Sequence, residues 1–309
     1  MRRRNFLLAS AASVAAAHAW AANETPKIEA IDCHTHFFDP TRPEGVPWPG
    51  KGDKSLYRPI LPPEFQKLAE PLGIVGTVVV EASPLLEDNA WLLQLAAKNP
   101  YLRGVVGNLN PASADIEKNL RRFAANPLYR GFRINHSDVT AGLQGKLVER
   151  SRLIAELGLA LDINGGPAMP LDVARLAEQS PKLRIVINHG GNLPIDGKAP
   201  PREWREGMEA AAKCPSVFCK VSALVEQTAQ KPAPREVEYY RPVIDTLWNL
   251  FGEERLIFGS NWPVSDRGAP LTTVVGIVRD YFLAKGEKAA SRFFSGNSQA
   301  AYRWVERKA

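Results

Sequence analysis

Eight short apolar runs alternate with longer amphipathic segments along most of the chain, and this alternation restricts the fold more than any other feature. Pro at the first turn and Gly at the end mark several of the amphipathic segments as helices. The pattern predicts the α/β class, as a single-domain (β/α)8 TIM barrel. A doubly wound open sheet is the alternative, but no G-x-G-x-x-G motif follows the first run. The runs span residues 28–34, 74–82, 102–109, 129–135, 159–164, 183–189, 217–222 and 255–260.

The start of the chain has the pattern of an export signal. Three arginines precede an Ala-rich apolar stretch that ends in two small-x-small sites, at residues 17–19 and 19–21. Arg3 and Arg4, followed by Asn-Phe-Leu, resemble a twin-arginine signal, and a general secretory signal is the alternative. We therefore predict a twin-arginine signal peptide over 1–21, recognition by the twin-arginine export machinery, a barrel domain over 22–309 and a periplasmic location.

Charge and hydropathy exclude two classes of partner. The net charge is +6, of which three positive charges belong to the arginines of the predicted signal, which leaves +3 for the rest. That excess predicts no nucleic-acid partner. No apolar run reaches the length of a bilayer span, so no membrane anchor is expected. The three cysteines do not suggest a disulfide framework and read as small buried thiols, although Cys214 and Cys219 are close enough in sequence to bridge.

Histidines gather at the predicted ends of strands. The chain after residue 21 has four histidines, and three of them, His34, His36 and His189, end the first and sixth runs. Side chains alternate along a strand, so His34 and His36 share one face. The carboxyl ends of barrel strands form the active-site face in this architecture, so we predict that these three residues carry the chemistry.

Several short motifs give the chain a family resemblance. In chain order they are "FDP" after His36, "GFRIN" at 131–135, "INHGG" at 187–191, "CKVSAL" at 219–224 and "FGSNWPV" at 258–264. As a set they resemble the amidohydrolase-related branch (amidohydrolase 2) of the amidohydrolase superfamily. That branch contains lactonases of the 2-pyrone-4,6-dicarboxylate and L-fuconolactone types. The resemblance implies a TIM-barrel hydrolase, and it also implies a homo-oligomer.

The same comparison shows which family residues are missing. Binuclear members use a carboxylated lysine on strand four and a histidine on strand five, whereas these strands read "RGFRIN" and "LALDIN" here. We therefore expect no binuclear site. The strand-eight aspartate, which the family is thought to use as general base, is replaced by Asn261. An amide cannot accept a proton from water near neutral pH, so we expect Asn261 to orient ligands by hydrogen bonds.

Three mechanisms are compatible with this set of residues. In the first, His34, His36 and His189 hold one divalent metal ion, with zinc expected, whose bound water attacks. In the second, no metal is required, His189 is the base, and His34 and His36 polarise the carbonyl. In the third, the site binds a ligand and catalyses nothing.

Four further residues are candidates for binding substrate. Arg133 matches the position at which family members grip a substrate carboxylate, and an ion pair at the rim is its alternative role. Ser83 is a candidate substrate contact at the end of strand two. Asn135 and Asn164 are candidates for hydrogen bonds to substrate hydroxyls, and turn or packing roles are equally compatible with them.

Three charged residues near the predicted site have weaker assignments. Lys220 is expected to be a structural residue inside the barrel. Glu226 and Asp266 lie near the predicted rim and are candidates to replace the missing base, although a solvated surface acid is the simpler interpretation of each.

The sequence predicts an exported hydrolase of a small molecule. The expected substrate is a lactone or a similar carboxylate-bearing cyclic ester, opened by attack of water on the carbonyl. A decarboxylase of the same superfamily is one alternative. A non-catalytic periplasmic binding protein that has lost its base is another.

Overall fold

The computed structural model describes residues 28–307, and eight parallel strands form one sheet in chain order. Helices alternate with the strands, so the predicted (β/α)8 barrel is confirmed. The strands are β1 Ala30–Thr35, β2 Ile74–Val80, β3 Leu102–Asn108, β4 Tyr129–Asn135, β5 Ala160–Asn164, β6 Arg184–Ile187, β7 Val217–Val221 and β8 Leu256–Phe258. The α-helices are α1 Pro62–Ala69, α2 Asp88–Lys98, α3 Ile116–Ala124, α4 His136–Gly142, α5 Lys146–Glu156, α6 Met169–Gln179, α7 Arg202–Ala212, α8 Val237–Phe251, α9 Leu271–Ala284, α10 Glu287–Ser291 and α11 Asn297–Tyr302.

The segment after β8 brings the last strand against the first. The Asn261 N–H donates to the His34 carbonyl at 2.8 Å, and the His36 N–H donates to the Trp262 carbonyl at 2.9 Å. Thr35 and Trp262 also form a parallel bridge. The "GSNWP" stretch therefore takes over from the short β8 and holds the carboxyl-terminal end of β1, where two of the predicted histidines lie.

Apolar side chains between the strands and the outer helices form the main core. One part of it is aromatic: the rings of Phe282 and Phe293 stack with centroids 3.5 Å apart, and Phe258 lies next to Phe293. Burial of such rings contributes about 1.5–3 kcal/mol per side chain, and this packing fixes β8 and its following segment against α9.

The structure also bears on the expectations for the cysteines and for a membrane anchor. The three cysteines are free, with Cys33 and Cys219 buried and Cys214 only partly buried. Among residues 28–307, no helix has both the length and the hydropathy needed to cross a membrane. The predicted signal peptide, residues 1–21, lies outside the described residues.

Candidate active site

The three predicted histidines lie together at the carboxyl-terminal end of the strands, which we call the barrel mouth. The ring centroids of His34 and His36 are 4.9 Å apart, and those of His34 and His189 are 4.3 Å apart. All three are buried. Burial lowers the pKa of each imidazole, and the neighbouring charge of Lys220 lowers it further. The histidines are therefore neutral at pH 7 and can offer both N–H donors and lone pairs.

A buried lysine touches the central histidine. Lys220 Nζ lies 3.1 Å from His34 Nδ1 and 2.7 Å from Asp162 Oδ2. Tyr302 from α11 donates its hydroxyl to the same carboxylate at 2.8 Å. Neither Lys220 nor Asp162 is exposed to solvent, so the carboxylate compensates the lysine's charge inside the barrel. Burial lowers the pKa of Lys220, and the Asp162 carboxylate opposes that change.

The lysine contact fixes which nitrogen of His34 carries its proton. An ammonium group has protons to give and no lone pair, so Nδ1 of His34 accepts. The proton of the neutral ring is then on Nε2, which is buried and has no hydrogen-bond partner. His34 therefore presents an unpartnered N–H donor, which is the group that stabilises negative charge on a substrate oxygen.

His36 has the opposite tautomer. Its Nδ1 lies 3.0 Å from the Val80 carbonyl, which can only accept, so Nδ1 carries the proton. Its Nε2 lies 3.3 Å from the Asn261 side-chain oxygen. The Asn261 amide nitrogen in turn lies 2.6 Å from Glu226 Oε1. Burial is the main cause that lowers the pKa of His36 to about 3. His36 is therefore an acceptor at Nε2 and not a carbonyl polariser.

His189 and Asn261 both have left-handed backbones. Their φ angles are 54° and 62°, a region that few non-glycine residues adopt, with Asn and His enriched among those that do. His189 lies in the short turn Asn188–Gly191 after β6, and Asn261 lies three residues after β8 ends. His189 Nδ1 contacts the Ser222 hydroxyl at 2.9 Å, which leaves Nε2 for a ligand. Both residues lie in turns that follow their strands, rather than at the strand ends as predicted.

Asp32 connects the two backbone segments that contain His34 and Asn261. Its Oδ1 accepts from the backbone N–H groups of His34 at 3.0 Å and Ser260 at 2.9 Å. It thereby joins β1 to the segment after β8. Burial raises the pKa of Asp32 to about 6, although these hydrogen bonds oppose the shift.

The histidines as arranged do not match a metal-ligand set. Within residues 28–307, no three His, Cys, Asp or Glu side chains converge so as to hold an ion. A metal-bound histidine usually donates its other N–H to an acceptor, whereas Nδ1 of His34 faces the donor Lys220. The assignment of His34, His36 and His189 as ligands of one divalent ion remains a prediction, and so does the absence of a binuclear site.

Arg133 is engaged within the protein. Its Nε donates to Glu81 Oε1 at 2.8 Å, and its Nη2 donates to the Glu81 carbonyl at 2.9 Å. Both groups are largely buried. The structure therefore places Arg133 in the ion pair that was its alternative role, and Glu81 neutralises the charge expected to bind a substrate carboxylate.

The remaining three candidates have contacts within the protein. Ser83 lies beyond the end of β2 and accepts the Leu85 N–H at 3.2 Å. Asn135 is exposed at the start of α4, where its N–H donates to Asp138. Asn164 accepts from Asn192 at 3.0 Å and so joins β5 to the turn after β6. These contacts favour turn and packing roles over substrate binding.

The long loop after β1 covers one side of the site. Its Trp48 lies edge-on to His36, with ring centroids 6.2 Å apart. Phe38 and Ile60 bridge the two ends of the loop. The loop therefore places an aromatic ring next to His36.

Comparison with known proteins places the chain in a family. The amidohydrolase family model matches residues 31–304. The chain belongs to the amidohydrolase family. It is 33% identical to the L-fucono-1,5-lactonase of Burkholderia ambifaria over 285 residues, and the match covers 88% of this chain and 95% of that protein. It is 27% identical to the L-fucono-1,5-lactonase of Burkholderia multivorans, over 80% of this chain and 86% of that protein.

A solved structure has the same fold. An amidohydrolase from Burkholderia multivorans with bound zinc has a TM-score of 0.81 at 22% identity, and the match covers 89% of this chain and 99% of that one. The expected resemblance to the lactonase-containing amidohydrolase branch is confirmed, and so is the expectation of a lactonase-like hydrolase.

Proposed function

We propose that the chain hydrolyses the lactone of a polyhydroxylated acid. The observation that carries this proposal is the 33% identity to an L-fucono-1,5-lactonase over nearly the whole of both chains. The buried histidines at the barrel mouth supply the donors and acceptors that ester hydrolysis needs. Because Glu81 already occupies Arg133, a lactone rich in hydroxyl groups suits this mouth better than the carboxylate-bearing ester expected from the sequence.

The proposed reaction uses two of the histidines directly. Water attacks the lactone carbonyl and forms a carbon–oxygen bond, while its proton moves to Nε2 of His189. The Nε2–H of His34 donates to the carbonyl oxygen as negative charge develops there. The ring carbon–oxygen bond then breaks, and His189 returns the proton to the departing ring oxygen. The product is the open hydroxy acid, whose carboxyl group releases one proton to the solvent at neutral pH.

A panel of aldono-lactones and aromatic lactones in a pH-stat tests the proposal, because each ring opened releases one proton. We expect hydrolysis of sugar lactones, and a loss of about 10²–10⁴-fold in kcat/KM in His189→Asn, the range for a lost general base. Exposed Arg152→Gln, on an outer helix, is the control variant. Ligand binding without hydrolysis would instead favour a binding protein, and release of carbon dioxide from carboxylated compounds would favour a decarboxylase.

The metal requirement is tested separately. The zinc in the Burkholderia multivorans structure supports a zinc ion here, and the donor Lys220 at Nδ1 of His34 argues against one. We expect lactone hydrolysis to survive dialysis against a chelator. One zinc per chain, with activity lost on chelation and restored by added zinc, would reverse this part of the proposal.

Export to the periplasm completes the proposal. It is supported by the sequence of residues 1–21, which contains the arginine pair. We expect the periplasmic fraction to contain a shortened protein, and Arg3→Lys/Arg4→Lys to leave the full-length chain in the cytoplasm. Full-length wild-type protein confined to the cytoplasm would contradict export.

A further inference from the structure

We propose that Glu226 carries a proton on the acidic side of neutral pH and, through the Asn261 amide, is a positioning residue for the hydrolysis. This inference rests on the proposed function for its kinetic consequence. Its structural basis is a row of four groups at the barrel mouth: the Val80 carbonyl, His36, Asn261 and Glu226.

Nε2 of His36 faces an atom with which it cannot form a hydrogen bond. The Val80 carbonyl requires a proton on Nδ1 of His36, so the neutral ring has only a lone pair at Nε2. That lone pair faces the Asn261 side-chain oxygen at 3.3 Å, and two acceptors repel one another. A half-turn of the amide exchanges its oxygen and nitrogen, and the amide N–H then donates to His36.

The half-turn transfers the requirement for a proton to Glu226. The Asn261 amide oxygen would then face Glu226 Oε1, across a contact of 2.6 Å. Two oxygens this close require a hydrogen between them, and only a protonated Glu226 supplies it. With that single proton, each contact in the row pairs a donor with an acceptor.

The surroundings of Glu226 favour the protonated form. Its second oxygen, Oε2, is buried and has no hydrogen-bond partner. Burying an unpartnered oxygen costs more free energy in the ionised carboxylate than in the neutral carboxylic acid. Burial raises the pKa of Glu226 to about 7. An Asn261 N–H donated to Glu226 opposes that rise, as does the charge of Lys231, and the charge of Asp266 adds to it.

The protonated row has a consequence for catalysis. An amide N–H directed at His36 Nε2 holds that ring neutral and fixed beside His34, whose N–H is proposed to meet the carbonyl oxygen. When Glu226 loses its proton, the amide turns its N–H to the carboxylate and its oxygen to His36, which disturbs this contact. We therefore expect kcat/KM for the lactone to fall as pH rises through about 7.

Glu226→Gln tests the proposal, because a glutamine amide can donate to Asn261 at every pH. We expect the fall in kcat/KM above pH 7 to disappear in this variant. Below pH 7 the variant should still hydrolyse the lactone, so that kcat and KM can both be measured. Glu226→Ala, which offers no donor, should lower kcat/KM at all pH values. Glu117→Gln, an exposed glutamate on α3, should keep the wild-type pH profile. An unchanged alkaline fall in Glu226→Gln would overturn the proposal.

Infrared spectroscopy measures the proton without relying on activity. Asp32, with a pKa of about 6, has lost most of its proton by pH 7, so the range above pH 7 reports mainly on Glu226. We expect wild-type protein and Glu117→Gln to lose more protonated-carboxyl intensity between about pH 7 and pH 8.5 than Glu226→Gln. Equal losses in wild type and Glu226→Gln over this range would overturn the inference. Failure of the wild-type protein to open any lactone would refute only the proposed function, because the infrared result does not depend on turnover.

Discussion

A lysine directed at a histidine determines what that histidine can offer a substrate. Lys220 donates a hydrogen bond to Nδ1 of His34, so the other ring nitrogen, Nε2, carries the proton and is a donor. Nδ1 of His36 donates to the Val80 carbonyl, so Nε2 of His36 is an acceptor. Two histidines separated by one residue in sequence therefore have different chemical roles, and the difference comes from partners on β2 and β7.

Replacing Lys220 should destabilise the protein strongly. In Lys220→Met the Asp162 carboxylate loses its cation inside the barrel, and removing one member of a buried ion pair costs about 3–5 kcal/mol. Urea denaturation measures this loss. Lys213→Met removes an exposed pair on the protein surface and should cost under about 1 kcal/mol. Recovery of stability in Lys220→Met/Asp162→Leu would show that the unpaired charge is the cause, and equal losses in Lys220→Met and Lys213→Met would contradict the prediction.

Asn261→Asp should lower the activity rather than restore a general base. An aspartate at this position would stand beside Glu226, and two carboxyl groups in contact must share a proton. It would also lose the amide N–H that donates to neutral His36, a hydrogen bond worth about 0.5–1.5 kcal/mol. We expect kcat/KM for the lactone to fall about 2- to 10-fold. A rise in kcat/KM would show that the amide is merely a lost base.

The sequence predicted the residues of the site better than their partners. His34, His36, His189 and Asn261 were recognised from motifs, and the structure brings all four together. An ion pair was the alternative prediction for Arg133, but its partner Glu81 was not predicted, and neither was the contact of Lys220 with His34. Each joins side chains from different strands, and their approach depends on the barrel register, which no local pattern encodes.

At the scale of elements, the turns after β6 and β8 contain two of the four site residues, His189 and Asn261. The apolar runs predicted all eight strands, but the observed β6 and β8 each end two residues earlier than the predicted ends. The left-handed backbone of His189 explains part of this difference at β6, because such a residue cannot continue a strand. Periodicity indicates where apolar faces lie and contains no signal for a left-handed polar residue.

Gly259 controls the distance between β8 and β1. A Cβ atom on Gly259 would lie 2.8 Å from the Cβ of His34, so Gly259→Ala should displace the histidine. We expect a loss of about 1–3 kcal/mol in stability, as for other overpacked positions, together with reduced lactone hydrolysis. Gly276→Ala on α9 is the control, because nothing lies within 4 Å of its added Cβ. That variant should gain about 0.5–1 kcal/mol, and similar losses in both variants would contradict the prediction.

For the whole molecule, the buried histidines predict sensitivity to acid. Their pKa values are lowered in the folded state, so the unfolded chain binds more protons below its ordinary histidine pKa of about 6.5. Stability must therefore fall as pH drops from 6.5 towards 5. The raised pKa values of Asp32 and Glu226 act in the opposite direction, because those folded-state groups retain protons that the unfolded chain releases.

Urea midpoints at pH 7 and pH 5 measure this balance. We expect a lower midpoint at pH 5 in the wild-type protein and a smaller difference in His36→Asn, which has one fewer buried imidazole. Exposed Arg152→Gln should keep the wild-type difference. A midpoint that does not change with pH in the wild-type protein would contradict the prediction.

The contact of the Tyr302 hydroxyl with Asp162 forms only after nearly the whole chain has been translated. This residue comes after every strand in the chain and donates to Asp162, which in turn pairs with Lys220 beneath His34. A ribosome must therefore translate all eight strands and α11 before the support of His34 is complete. A nascent chain stalled before residue 302 would contain every histidine of the site and still lack the contact that completes it.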